Sequence, residues 1–156
     1  MLLTPPQYTK LCDSVRRWQN RHAEAIRILP ADSLRYCQPS IDAMPGDYEW
    51  QGCSAGLHTV GIQCDGTVLG CLSLNDKSFA AGNVKEKSLI RIWGDDSAFS
   101  STRSPDLSNF SGSCARCASA PVCKAGCLGM AFSLTGGISG TPYCYKAIME
   151  ANREAI

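Results

Sequence analysis

The chain has 156 residues and ten are cysteine, a share of about 6 per cent that approaches the disulfide- or metal-rich range. A chain of this length can build one ordinary domain whose core folds without staples, so the cysteines need a purpose beyond stability. Fifteen basic and 14 acidic side chains leave a net charge of +1 with no block of like charge, which argues against an electrostatic nucleic-acid or membrane footprint.

Met1 to Gln7 contains Thr4, Pro5 and Pro6 after a short apolar pair, which is not the apolar stretch of a signal peptide. Nowhere is there a run of about 18 apolar residues. The expectation is a soluble, cytoplasmic chain, and in a reducing compartment clustered cysteines read as metal or cluster ligands.

In chain order, Thr4 is positioned to cap a helix that begins at Pro5, with Tyr8, Leu11, Val15, Trp18 and His22 recurring on one face. Ile26 to Leu29, closed by Pro30, reads as a strand. A lone helix and strand leave an apolar face and an unpaired edge, so another chain covers them or they end a larger domain. Residues 1–36 are assigned to this piece, 37–49 to a linker rich in turn residues, and 50–156 to a second module.

His58 to Gln63, Asp65-Gly66 and Thr67 to Leu72 give a β-hairpin signal, because Asp-Gly tolerates the positive φ of tight turns. Ser88 is a candidate cap for a short helix through Trp93, and Asp96 for another through Ser101. Cys127 to Leu134 reads as helix stopped by Gly136-Gly137, and Thr141-Pro142 opens a last helix towards Ala155, with Cys144 in its first turn. Cys12 fits a buried small hydrophobe, Trp18 and Trp93 fit core faces, and Asp65 a turn. His22 and His58 lack a second ligand nearby and read as structural or exposed. Trp50 is placed to shield a cluster from water; Arg116 and Lys124 either offset thiolate charge or are solvated.

Cys114, Cys117, Cys123 and Cys127 form C-x2-C-x5-C-x3-C, followed by Cys144, while Cys53 and Cys71 bracket the hairpin. Soft thiolates at such spacings select zinc or iron–sulfur clusters, and the four-cysteine run taken alone suits either. Four ligands close one tetrahedral zinc, so seven cysteines in one framework require a second centre and leave one ligand to find.

These residues resemble the SPASM domain, the C-terminal module of radical S-adenosylmethionine enzymes that mature peptides and proteins. Cys53, twelve residues, Gly66, four residues and Cys71 fit the first half of its pattern, and Cys114, Cys117, Cys123, Cys127 and Cys144 fit the second. Gly82-Asn83-Val84 and Leu89 to Trp93 resemble the family's segment between them, so the resemblance covers about residues 50–148. It implies two auxiliary [4Fe-4S] clusters, one held by Cys53, Cys71 and Cys127, the other by Cys114, Cys117, Cys123 and Cys144. Cys37 is the expected eighth ligand, with an open iron as the alternative, while Cys64 at the hairpin tip is expected not to bind.

The implied fold class is α+β: a small β-hairpin and short helices organised around two metal clusters, preceded by a helix–strand piece of an α/β barrel. The C-x3-C-x2-C site that would bind S-adenosylmethionine is missing, since Cys123 and Cys127 are followed by Met130. The chain alone is therefore expected to be inactive, and S-adenosylmethionine belongs to a barrel supplied in cis or in trans. The expected partners are that barrel and a peptide or protein substrate. A zinc-binding structural or interaction module is the competing function, and a free-standing ferredoxin-like carrier the third.

Overall fold

The computed structural model describes residues 2–22, 24–26 and 52–154. Cys37, Trp50, the linker at 37–49 and positions 27–29 of the expected strand lie outside the described residues. Ile26 is exposed and outside any strand. The chain divides into two compact units, residues 1–50 with 141–156, and residues 51–140.

In the first unit, α1 (Pro5–His22) begins as its sequence predicts. The Thr4 backbone N–H donates to Gln7 Oε1 at 2.9 Å and the Gln7 N–H to Thr4 Oγ1 at 3.4 Å, a reciprocal cap that satisfies otherwise orphaned donors. The last helix, α6 (Tyr145–Glu154), packs on α1. Tyr143 stacks on Tyr8 with ring centroids 5.2 Å apart and donates its hydroxyl to the Leu3 carbonyl at 2.7 Å, and Tyr145 Oη lies 3.1 Å from Asp13 Oδ1. The covered stripe of α1 therefore centres on Tyr8 and Cys12. Burial pushes the Cys12 thiol pKa up, as befits a small hydrophobe. Trp18, expected on the core face, is instead 44% exposed and rests on the neighbouring His22 ring at 4.3 Å. Cys144 stands just ahead of α6 and not in its first turn; its carbonyl accepts the Ile148 N–H at 3.0 Å.

The second unit contains the expected hairpin, trimmed to β1 (Gly61–Ile62) and β2 (Thr67–Leu69), and adds a third strand, β3 (Ala80–Asn83), in the antiparallel order β1-β2-β3. Gly61 pairs with Leu69 and Ile62 with Val68. His58, expected on a strand, sits exposed in the turn that precedes the hairpin. At the tip, Asp65 Oδ1 accepts the Thr67 N–H at 2.9 Å, which holds its carboxyl below the usual range. Gly66 has φ +92°, and a Cβ there would fall 2.6 Å from Asn83 Oδ1. That close approach fastens β3 to the tip, with Asn83 Nδ2 donating to the Asp65 carbonyl at 3.2 Å and Asn83 Oδ1 accepting the Lys85 N–H at 2.9 Å.

Helix α2 (Leu89–Trp93) follows Ser88 at the expected place, though the Ser88 side chain makes no cap hydrogen bond, and plants Ile92 beside Val68, Ala98 and Phe99 in the core. A Cβ on Gly82 would stand 3.2 Å from Ile92 Cγ1, so the glycine lets α2 settle on β3. The helix expected from Asp96 begins later, as α3 (Ser100–Arg103), because the Asp95 carboxylate binds the Ser97 N–H and hydroxyl and closes a turn there. Beyond it come α4 (Ala120–Cys123) and α5 (Leu128–Thr135), the latter ended by Gly136 at φ +74° as expected. No helix among the described residues is long and apolar enough to cross a membrane.

Candidate functional site

Six of the expected ligands, Cys53, Cys71, Cys114, Cys117, Cys123 and Cys127, lie in the second unit, and each is half-buried. Cys144 lies in the first unit, and Cys64, at the hairpin tip, is exposed. Among the described residues no three histidine, cysteine or carboxylate side chains are gathered tightly enough to hold a single ion. Within the second unit, the structure brings the chain segments around Cys53, Cys71 and the Cys123–Cys127 loop against one another.

Cys53 and Cys71 are joined through a crossing of two glycines. A Cβ on Gly70 would lie 3.2 Å from the Gly56 nitrogen and 3.3 Å from the Ala55 carbonyl carbon, so the chain three residues after Cys53 runs against the chain just before Cys71. Only residues without a side chain allow two backbones to pass so closely. Cys127 joins the same neighbourhood: a Cβ on Gly129 would meet Ser73 Cβ at 3.0 Å and lie 3.9 Å from Cys127 Sγ. On the other side a Cβ on Gly52 would meet Lys124 Cδ at 3.0 Å, which sets the loop from Cys123 to Cys127 against the approach to Cys53. Lys124 thus lends its stem to packing.

That loop is strained. Lys124, Ala125 and Gly126 have consecutive positive φ values of 50°, 64° and 75°. Two non-glycine residues in the left-handed region cost about 1–2 kcal/mol each, a strain that clusters at sites where backbone position matters. The reversal lets α4 end at Cys123 and α5 begin immediately after Cys127, which presents the two sulfurs from separate elements.

Cys114 and Cys117 sit on and just after a 3-10 turn, Gly112–Arg116. Its start is fastened to the chain beyond α5: the Ser111 N–H donates to Ser139 Oγ at 2.9 Å, and Ser139 is buried. The next residue, Gly140, directs its N–H to Cys114 Sγ at 3.4 Å, and the Ser73 N–H points to Cys71 Sγ at 3.4 Å. Backbone N–H donors aimed at a sulfur tune the potential of a cluster that the sulfur ligates. The donor set, soft sulfurs on adjoining loops with N–H groups turned towards two of them, fits a thiolate-held iron–sulfur group.

Residues 53–118 match a family model, SPASM, described as an iron-sulfur cluster-binding domain. This segment is similar to the SPASM family. Of the expected ligands, the match takes in Cys53, Cys71, Cys114 and Cys117, along with Cys64, which is expected not to bind, while Cys123, Cys127 and Cys144 lie beyond its end. No curated protein and no solved structure matches the chain. Within the matched segment, two motif positions noted in the sequence acquire physical roles, Gly82 as the seat of Ile92 and Asn83 as the tie to the hairpin tip. Sequence reasoning missed Gly56, Gly70 and Gly129, whose function is the close approach of backbones and is invisible until the fold is known.

Proposed function

We propose that the chain is an auxiliary [4Fe-4S] module of a radical S-adenosylmethionine enzyme that modifies a peptide or protein, serving electron transfer and substrate positioning. The observation that supports this most directly is the iron–sulfur SPASM match over residues 53–118. In this proposal Cys53, Cys71 and Cys127 hold one cluster, with Cys37 as fourth ligand or an open iron in its place. Cys114, Cys117, Cys123 and Cys144 hold the other. When bound, the clusters supply one-electron acceptor chemistry, or an open iron at which a peptide group binds. The chain's own part is to hold and space the sulfurs, through the donors at Ser73 and Gly140 and the glycine crossings around them.

A radical S-adenosylmethionine barrel, in cis or in trans, would generate the substrate radical, because this sequence has no C-x3-C-x2-C. Protein purified without oxygen is expected to be brown, with broad absorption near about 400 nm from iron–sulfur charge transfer, which d10 zinc cannot give. Reduced with S-adenosylmethionine, the chain alone is expected to release no 5′-deoxyadenosine. A colourless zinc protein would instead indicate the structural module, and turnover by the chain alone would contradict the assignment of the radical step elsewhere.

A further inference from the structure

Arg103, the last residue of α3, spends its guanidinium on backbone carbonyls. Nε donates to Gly56 O at 2.9 Å, Nη2 to Trp93 O at 2.9 Å and Nη1 to Asp95 O at 3.2 Å. Its Cζ lies 4.8 Å from the Phe99 ring centroid and 4.9 Å from that of Trp93, so the cation also faces two aromatic rings. Only the planar, forked donor set of arginine can serve three carbonyls while its face lies over aromatic rings.

Gly56, one of the three acceptors, is also half of the backbone crossing that joins Cys53 to Cys71. Phe99 presses on it from the same side: a Cβ on Gly56 would fall 2.5 Å from Phe99 Cβ, and a Cβ on Gly70 would meet Phe99 Cδ1 at 3.3 Å. Phe99 itself has φ +57°, a conformation costing a bulky residue about 1–2 kcal/mol that persists only when its surroundings over-determine it. Phe99 and Arg103 therefore act together on one spot, the ring as a wedge against Gly56 and Gly70, the guanidinium as a clamp on the Gly56 carbonyl.

We propose that Arg103 is a positioning residue for the cluster site built on Cys53 and Cys71, fixing the Gly56–Gly70 crossing and with it the spacing of those two sulfurs. The proposal rests on the iron–sulfur function given above. Arg103→Met keeps apolar contact with the rings and loses all three hydrogen bonds; Arg103→Lys keeps the charge but cannot span the three carbonyls.

The test compares anaerobically reconstituted wild type, both Arg103 variants and Ile92→Ala, a core variant without a bond to Gly56, by electron paramagnetic resonance after reduction with dithionite and by the rate of iron loss to a chelator. In Arg103→Met one of two cluster signals is expected to change, and iron from that cluster to leave about 10- to 100-fold faster, the usual penalty for removing support behind a metal ligand. The second cluster's signal and release rate should stay as in wild type. Arg103→Lys should fall between, so a Met variant too unstable to reconstitute still leaves a measurable case. Ile92→Ala should lower the thermal midpoint without that selectivity. Variants that release iron like wild type, or lose both clusters in step as Ile92→Ala does, would overturn the positioning role alone. A wild type that takes up no iron–sulfur cluster would overturn the function and this proposal together.

Discussion

A Cys127→Ala chain, reconstituted without oxygen, is expected to hold about four irons where the wild type holds about eight, two cubanes being reduced to one. It should also lose the same resonance signal as Cys71→Ala, not the one lost in Cys114→Ala. Sequence order suggests the opposite grouping, since Cys127 closes the run that starts at Cys114. The fold supports the crossed grouping: Gly129 backs onto Ser73, two residues from Cys71, beside the Cys127 sulfur. Cys114 receives its N–H from Gly140 on a different segment. The strained reversal at Lys124 to Gly126 separates Cys123 from Cys127 and makes the division sterically reasonable. If Cys127→Ala and Cys114→Ala lose one common signal while Cys71→Ala loses another, the crossed assignment is wrong.

The second large effect concerns Gly56. Gly56→Ala places a methyl group 2.5 Å from Phe99 Cβ and forces a left-handed φ of +72° on a residue with a side chain. Left-handed strain and overpacking together should lower stability by about 2–4 kcal/mol, or the thermal midpoint by about 10 °C or more in a small domain. Gly136→Ala is the matched control, because its φ is +74° and nothing lies within 4 Å of the added Cβ. That change should cost only the backbone term of about 1 kcal/mol. Equal losses at the two positions would show that the Phe99 wedge contributes nothing.

Much of the fold was legible where local chemistry decides it. Thr4 before Pro5 marked the start of α1, Asp65-Gly66 the hairpin tip and Gly136 the end of α5, each a short-range signal, while Ser88 stands at the N-cap of α2 without a side-chain cap bond. Non-local packing was less visible. Periodicity showed that α1 has an apolar side but not which stripe α6 would cover, so Trp18 was placed inward while the buried stripe runs through Cys12. Strand β3 has the sequence Ala-Ala-Gly-Asn, without a β-branched residue. It is a strand because Gly82 admits Ile92 and Asn83 grips the hairpin.

At the site, thiol chemistry and spacing identified the sulfurs, whereas the glycine crossings that bring their loops together depend on contacts across the fold. Arg103 left one trace in the sequence, its place four residues after Phe99. On a helical turn that spacing brings the pair to one face.

The most direct measurement is iron, acid-labile sulfide and zinc per chain in anaerobically reconstituted protein. Two thiolate-held cubanes predict about eight irons and about eight sulfides with no zinc; a ratio near four irons, or zinc without iron, would contradict the two-cluster account.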